Sequence, residues 1–233
     1  DDLRVLLTAD QEEQWGGVER TRRRLTTVAN GTLAGETVDL VALCDELEAP
    51  ATVESELAPL LSRYELDLDR ALAARNAMQD EQRAMIDGAG QGMHPGESRL
   101  DVQEMMQVAG KIREASVEVR DVNDSYARQI RGVLTGDLGD RFDRLWQKWC
   151  YPKVYAPTYT NQVLEAAMGF EDLDEAQRER LGALLDRYQR ELDRANEAWA
   201  RAIADSDAEG RSAVMIGGGG ETSTVSMKSS YIV

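Results

Sequence analysis

Apolar side chains return every three or four positions along residues 174–205, where Leu181, Leu184, Leu185, Tyr188, Leu192, Ala195, Trp199 and Ile203 fall on one stripe of a 3.6-residue repeat. Asp186, Arg187, Arg190, Glu191, Asp193 and Arg194 take the opposite face, so the pattern predicts an amphipathic helix over about 174–205. Residues 55–86 repeat the pattern with Leu57, Leu60, Leu61, Tyr64, Leu68 and Leu72. Pro59 lacks an N–H and suits the first helical turn, which sets the expected start near residue 55. A third helix is predicted over 98–134, where Val102, Met105, Ala109, Ile112, Ser116, Val119, Asn123, Tyr126, Ile130 and Val133 form an unbroken seam. The Gly-rich stretch DGAGQGMHPGE at 87–97 turns the chain between the second and third of these rods.

The first two stripes are related. Residues 60–71 read LLSRYELDLDRA and residues 184–195 read LLDRYQRELDRA, an offset of 124. Upstream, LRVLLTADQEEQW at 3–15 answers to IRGVLTGDLGDRF at 130–142 with a slightly larger offset. Each copy reads as a short helix, an irregular connector and a long helix. The expected fold is all-α: an elongated helical bundle built from an internal repeat, with an extended Gly-rich C-terminal tail. Its units are a first repeat at 1–134 ending in the helical hairpin, a second, incomplete repeat at 135–208 packing on the first, and a Gly/Ser/Thr-rich tail at 209–233. Residues 1–7 resemble the last turns of a helix. The second copy has no return helix, because the glycine run at 217–220 interrupts helix formation. Its stripe must therefore be covered by the first hairpin, giving three long helices side by side, or else by a second chain.

Charge narrows the partners. Charged residues make up 30% of the chain and the net charge is -16, which repels phosphate backbones and anionic lipid, so nucleic acid is not expected. No apolar run has the ~20 residues that cross a bilayer. Cys44 and Cys150 have no metal-ligand spacing and read as two buried thiols, with a disulfide between the halves as the alternative. A first residue of Asp rather than Met points to a processed N-terminus, as left by a removed export signal.

Two helix starts carry a capping signature. In Leu7-Thr8-Ala9-Asp10-Gln11, Thr8 can accept from the N–H of Gln11 while the Gln11 amide reaches back to the N–H of Thr8. Leu173-Asp174-Glu175-Ala176-Gln177 repeats this with Asp as the cap, and Leu134-Thr135 keeps Leu-Thr without the Gln. Leu-Thr-x-x-Gln resembles the hallmark (LTxxQ) of the Spy/CpxP family of periplasmic helical proteins. That resemblance implies an all-helical, periplasmic, ATP-independent chaperone or envelope-stress modulator, dimeric and in some relatives metal-binding. The chain departs from the family in being duplicated and acidic.

Candidate chemistry is sparse. Met93 and His94 at the hairpin tip, with Met85, form the one conceivable soft-metal set, although core filling explains the methionines equally well. Glu171, Asp172, Asp174 and Glu175 offset a helix dipole and have no nucleophile beside them, so no catalytic residue and no cofactor is expected. Trp146, Trp149, Tyr151, Tyr155 and Tyr159 are packed into one short connector with Phe142, either as a structural hub or as a partner-binding surface. In the tail, Tyr231, Ile232 and Val233 close a segment at 222–233 that could lie along a partner or a bundle groove. The expected function is that of a non-enzymatic, exported, protein-binding helical protein of Spy/CpxP type. Its partners are other proteins, a second copy or a larger complex. The alternative is a structural subunit attached through the aromatic connector and tail.

Overall fold

The computed structural model describes residues 6–91 and 102–208. Every regular element among them is helical: α1 (Ala9–Thr27), a 3-10 turn (Val28–Asn30), α2 (Leu40–Leu47), α3 (Ala51–Gln91), α4 (Val102–Val133), α5 (Gly136–Cys150), α6 (Tyr159–Met168) and α7 (Glu175–Ala208). Met93, His94, Tyr231, Ile232 and Val233, and the readings of residues 1–5 and of the tail, lie outside the described residues.

The capping arithmetic holds. Gln11 N donates to Thr8 Oγ1 and Thr8 N to Gln11 Oε1 at 3.0 Å, so α1 starts with a reciprocal box. The same pair forms before α7, from Gln177 N to Asp174 Oδ1 at 2.7 Å and from Asp174 N to Gln177 Oε1 at 2.9 Å. Thr135 starts α5 with no side-chain cap bond, and Leu138, standing where the other two sites have Gln, supplies no reciprocal one.

α3 begins earlier than Pro59 suggests. Pro50 O receives Val53 N and Glu54 N, so the start is four residues before the expected one and Pro59 lies inside the helix. Pro59 and Ser55 are both exposed, so the carbonyl that the missing N–H leaves over lies on the exposed face of the helix, open to water. α4 lies antiparallel on α3 and the two form the hairpin expected from their stripes. Leu57, Tyr64, Leu68 and Leu72 of α3 are buried against Val119 and Ile130 of α4. α2 and Phe142 of α5 close the same core from the side. The rings of Tyr64 and Tyr126 meet edge to face at 5.5 Å.

α7 departs from the expected third rod lying along the hairpin. It packs chiefly on α6 and reaches the hairpin near its end, where Ala34 N donates to Asp207 Oδ2 at 3.0 Å and Arg113 of α4 bonds the carbonyl of Asp207. Leu184 is 40% exposed and Trp199 50% exposed, so two of its stripe residues are only partly covered.

Helix, connector, short helix and long helix thus occur in this order at 9–91 and again at 136–208. In each stretch the tyrosine of the long helix bonds the start of the short one. Leu40 N donates to Tyr64 Oη at 3.2 Å, and the Tyr188 hydroxyl lies 2.6 Å from Oγ1 of Thr158, the cap of α6.

Candidate functional site

Charged and polar groups hold the connector at 31–39. Glu36 is fully buried and its carboxylate accepts from Thr32 N at 2.7 Å, Leu33 N at 3.0 Å and Arg75 Nη1 at 2.8 Å. Arg75, on the inner stripe of α3, also bonds the carbonyl of Thr27 and so ties the end of α1 to the connector. A Cβ at Gly31 would lie 2.7 Å from Glu36 Cδ, which leaves room there for glycine alone. Asp39 caps α2 through Val41 N and Ala42 N while both its oxygens accept from Arg24 Nη1, at 2.7 and 2.6 Å. Asn123 of α4 completes the set: its Nδ2 lies 2.8 Å from Gly35 O and 3.1 Å from Val38 O, and its Oδ1 accepts from Tyr64 Oη at 2.9 Å. Both carboxylates are engaged by arginines, so the network fixes shape and positions nothing toward solvent.

The aromatic connector divides. Trp146, Trp149 and Tyr151 pack half-buried against the core, and Trp149 Nε1 donates to Glu46 Oε2 at 3.1 Å, which joins α5 to α2. Tyr151 and Tyr155 stack tilted at 6.5 Å, and burial together with the charges of Glu197 and Asp193 raises the Tyr155 hydroxyl above its ordinary value. Tyr159, 81% exposed at the first turn of α6, is the one member of the five that faces water. The junction is thus mainly structural, and the surface it frames lies beyond it.

That surface is on the α6–α7 arm. Of the eleven large hydrophobic residues exposed among the described residues, five are Tyr159, Val163, Phe170, Leu184 and Trp199, all on the arm or its turn. A shorter strip, Val18 and Leu25 with Thr21 between them, lies on α1. Leu184 and Trp199 belong to the stripe that the sequence assigns to core packing. The available signal was the glycine run at 217–220, which the sequence places after this stripe.

Among the described residues there is no group of three or more His, Cys, Asp or Glu side chains able to hold a metal. Met85 lies half-buried on α3. No helix among them is long and apolar enough to cross a membrane.

Cys44 and Cys150 are free thiols packed on the core. Burial, with Asp45 and Asp39 adding to it, pushes Cys44 up to about 12, and burial likewise raises Cys150. The thiolate is the reactive form, so alkylation of the native protein at pH 8 is expected to run ~10³-fold slower than for an exposed cysteine with pKa ~8.5. Iodoacetamide labelling followed by mass spectrometry checks this; comparable rates in native and denatured protein would contradict the burial.

Compared with protein-family models, with curated proteins and with solved structures, the chain matches none.

Proposed function

We propose that this chain is a non-enzymatic protein-binding protein, exported and of Spy/CpxP-like chaperone or envelope-stress type, and that it meets its partners on the α6–α7 arm. The observation that carries the binding reading is the contrast between the two long helices. α3 has Tyr64, Leu68 and Leu72 fully buried, while the α6–α7 arm leaves Leu184, Trp199, Phe170 and Val163 exposed. Exposed aromatic and leucine side chains gathered on one arm are the usual marks of a protein-contact surface. The family part of the reading is supported by the reciprocal caps at Thr8 and Asp174 and by the all-helical architecture.

The test is suppression of aggregation of an unfolding client, followed by light scattering at equal molar ratio. The wild type is expected to suppress scattering, and the pair Leu184→Glu and Trp199→Glu to lose most of that effect while keeping its helical circular dichroism. No suppression, with the chain co-purifying from native extract at fixed stoichiometry with one other protein, would replace this reading with that of a structural subunit.

A further inference from the structure

The root of the arm holds a cleft whose polar groups are left without partners. It lies where α5, the turn at 155–158 and the start of α6 meet α7, and its volume is about 300 Å³, at the small end of ligand-sized pockets. Asn196 of α7 lines it and is only 9% exposed, yet its side-chain amide makes no hydrogen bond among the described residues. Asn161 of α6 lines it too: its Nδ2 donates to Glu165 Oε1 at 2.7 Å, while its buried Oδ1 has no hydrogen-bond partner. The position of Asn161 is fixed, because its N–H donates to Thr158 Oγ1 at 3.1 Å and that oxygen lies 2.6 Å from the Tyr188 hydroxyl. Buried polar groups are costly to leave unpaired, so two in one cleft mark a place for a ligand that supplies the missing bonds. The charges around them are unpaired as well. Arg144 and Lys148 stand one helical turn apart on α5 and Asp193 stands on α7; all three line the cleft, but no ion pair joins them.

We infer that this cleft binds a small α-amino acid, which carries an ammonium and a carboxylate on one carbon. The inference goes beyond the protein-binding reading and does not depend on it. The ammonium supplies the donors that Asn161 Oδ1 and the Asn196 amide oxygen lack, and Asp193 offers it a counter-charge. The carboxylate takes the Asn196 N–H groups and the charge of Arg144 and Lys148. The Tyr155 hydroxyl, which bonds no described residue, lines the same cleft as a further donor. Simpler ligands leave part of this set unused. Sulfate has no hydrogen for Asn161 Oδ1 and meets Asp193 as a like charge, whereas an amine has nothing to offer Arg144 and Lys148. A metal ion finds a single carboxylate there and no His or Cys. Arg144, Lys148 and Asp193 are exposed, so salt screens their pull and the two amides carry the selectivity. Two cations against one carboxylate match the net charge of an acidic amino acid, which makes L-glutamate the probe.

The experiment is calorimetric titration of L-glutamate into the full chain, with glutarate, which lacks only the ammonium, and n-butylamine as controls. Saturable one-to-one binding of L-glutamate is expected, with both controls at least ~10-fold weaker. Asn196→Leu should weaken L-glutamate at least ~10-fold while leaving Tm unchanged or higher, because the amide it removes bonds nothing in the protein. Arg144→Ala, at an exposed and unpaired position, should weaken binding by a smaller factor that shrinks with added salt. It keeps the test decisive should Asn196→Leu impair folding. No binding of L-glutamate, or binding indifferent to both substitutions, overturns the inference. So does equal binding of glutarate, since the site then takes an anion and has no place for the ammonium. Client aggregation plays no part in these outcomes, so the inference and the protein-binding reading stand or fall separately.

Discussion

Replacing Arg75 with methionine is expected to destabilise the protein by ~3–5 kcal/mol, because it strands a buried carboxylate. Arg75 and Glu36 are both fully buried and 2.8 Å apart. Without the guanidinium, Glu36 keeps its bonds from Thr32 N and Leu33 N but loses its counter-charge, and the carbonyl of Thr27 loses a donor. The pair is not an optimal one: Arg75 Nε is buried with no hydrogen-bond partner. A neutral replacement of both residues should therefore cost much less than the loss of one. Urea unfolding should place Arg75→Met well below wild type, with the double variant Arg75→Met and Glu36→Gln recovering a large part of the difference. A single-variant loss under ~1 kcal/mol, the scale of an exposed pair, would show that water reaches this site.

Asn123→Leu is expected to cost about 2–4 kcal/mol, although leucine is close to asparagine in size and more apolar. The amide serves the carbonyls of Gly35, Glu36 and Val38 with two hydrogens and receives the Tyr64 hydroxyl. Leucine leaves these buried groups to a site without a compensating partner, and each unmade bond to a buried group costs on the order of 1–3 kcal/mol. In a chain of this size the loss corresponds to a fall in Tm of roughly 4–16 °C. Differential scanning calorimetry reads this directly. A melting temperature within a degree of wild type would mean that the connector at 31–39 is held by its apolar residues Leu33 and Val38 alone.

Periodicity carries most of the fold. α3, α4 and α7 are legible because their apolar positions keep a 3.6-residue beat through ten or more residues, and the caps at Thr8 and Asp174 are local in sequence and form as read. What was not legible is long-range. Arg75 sits on the inner stripe of α3, one step after Leu72, where a charge reads as the end of the stripe; its partner Glu36 is 39 positions away, in a connector with no periodicity. Asn123 likewise sits in the α4 seam, and only the fold shows that it serves a loop 85 to 88 residues distant. Pro59 misplaced the start of α3, because the cost of an interior proline depends on whether the orphaned carbonyl can meet water, which sequence does not state. For the aromatic connector, the clustering of Trp146 to Tyr159 was visible but its division was not: Trp146, Trp149 and Tyr151 seal a junction, and Tyr159 is left outside.

The uneven cover of α3 and α7, whose residues 60–71 and 184–195 match in sequence, is the core of this account, and amide hydrogen exchange of the native protein tests it most directly. The α3 amides near Tyr64 and Leu68, under α4, should exchange only through global unfolding, whereas those of α7 around residues 181–195 should exchange at least ~10²-fold faster through local opening of the arm. Equal protection of the two segments in the isolated chain would contradict it, since α7 would then already have the cover that α4 gives to α3.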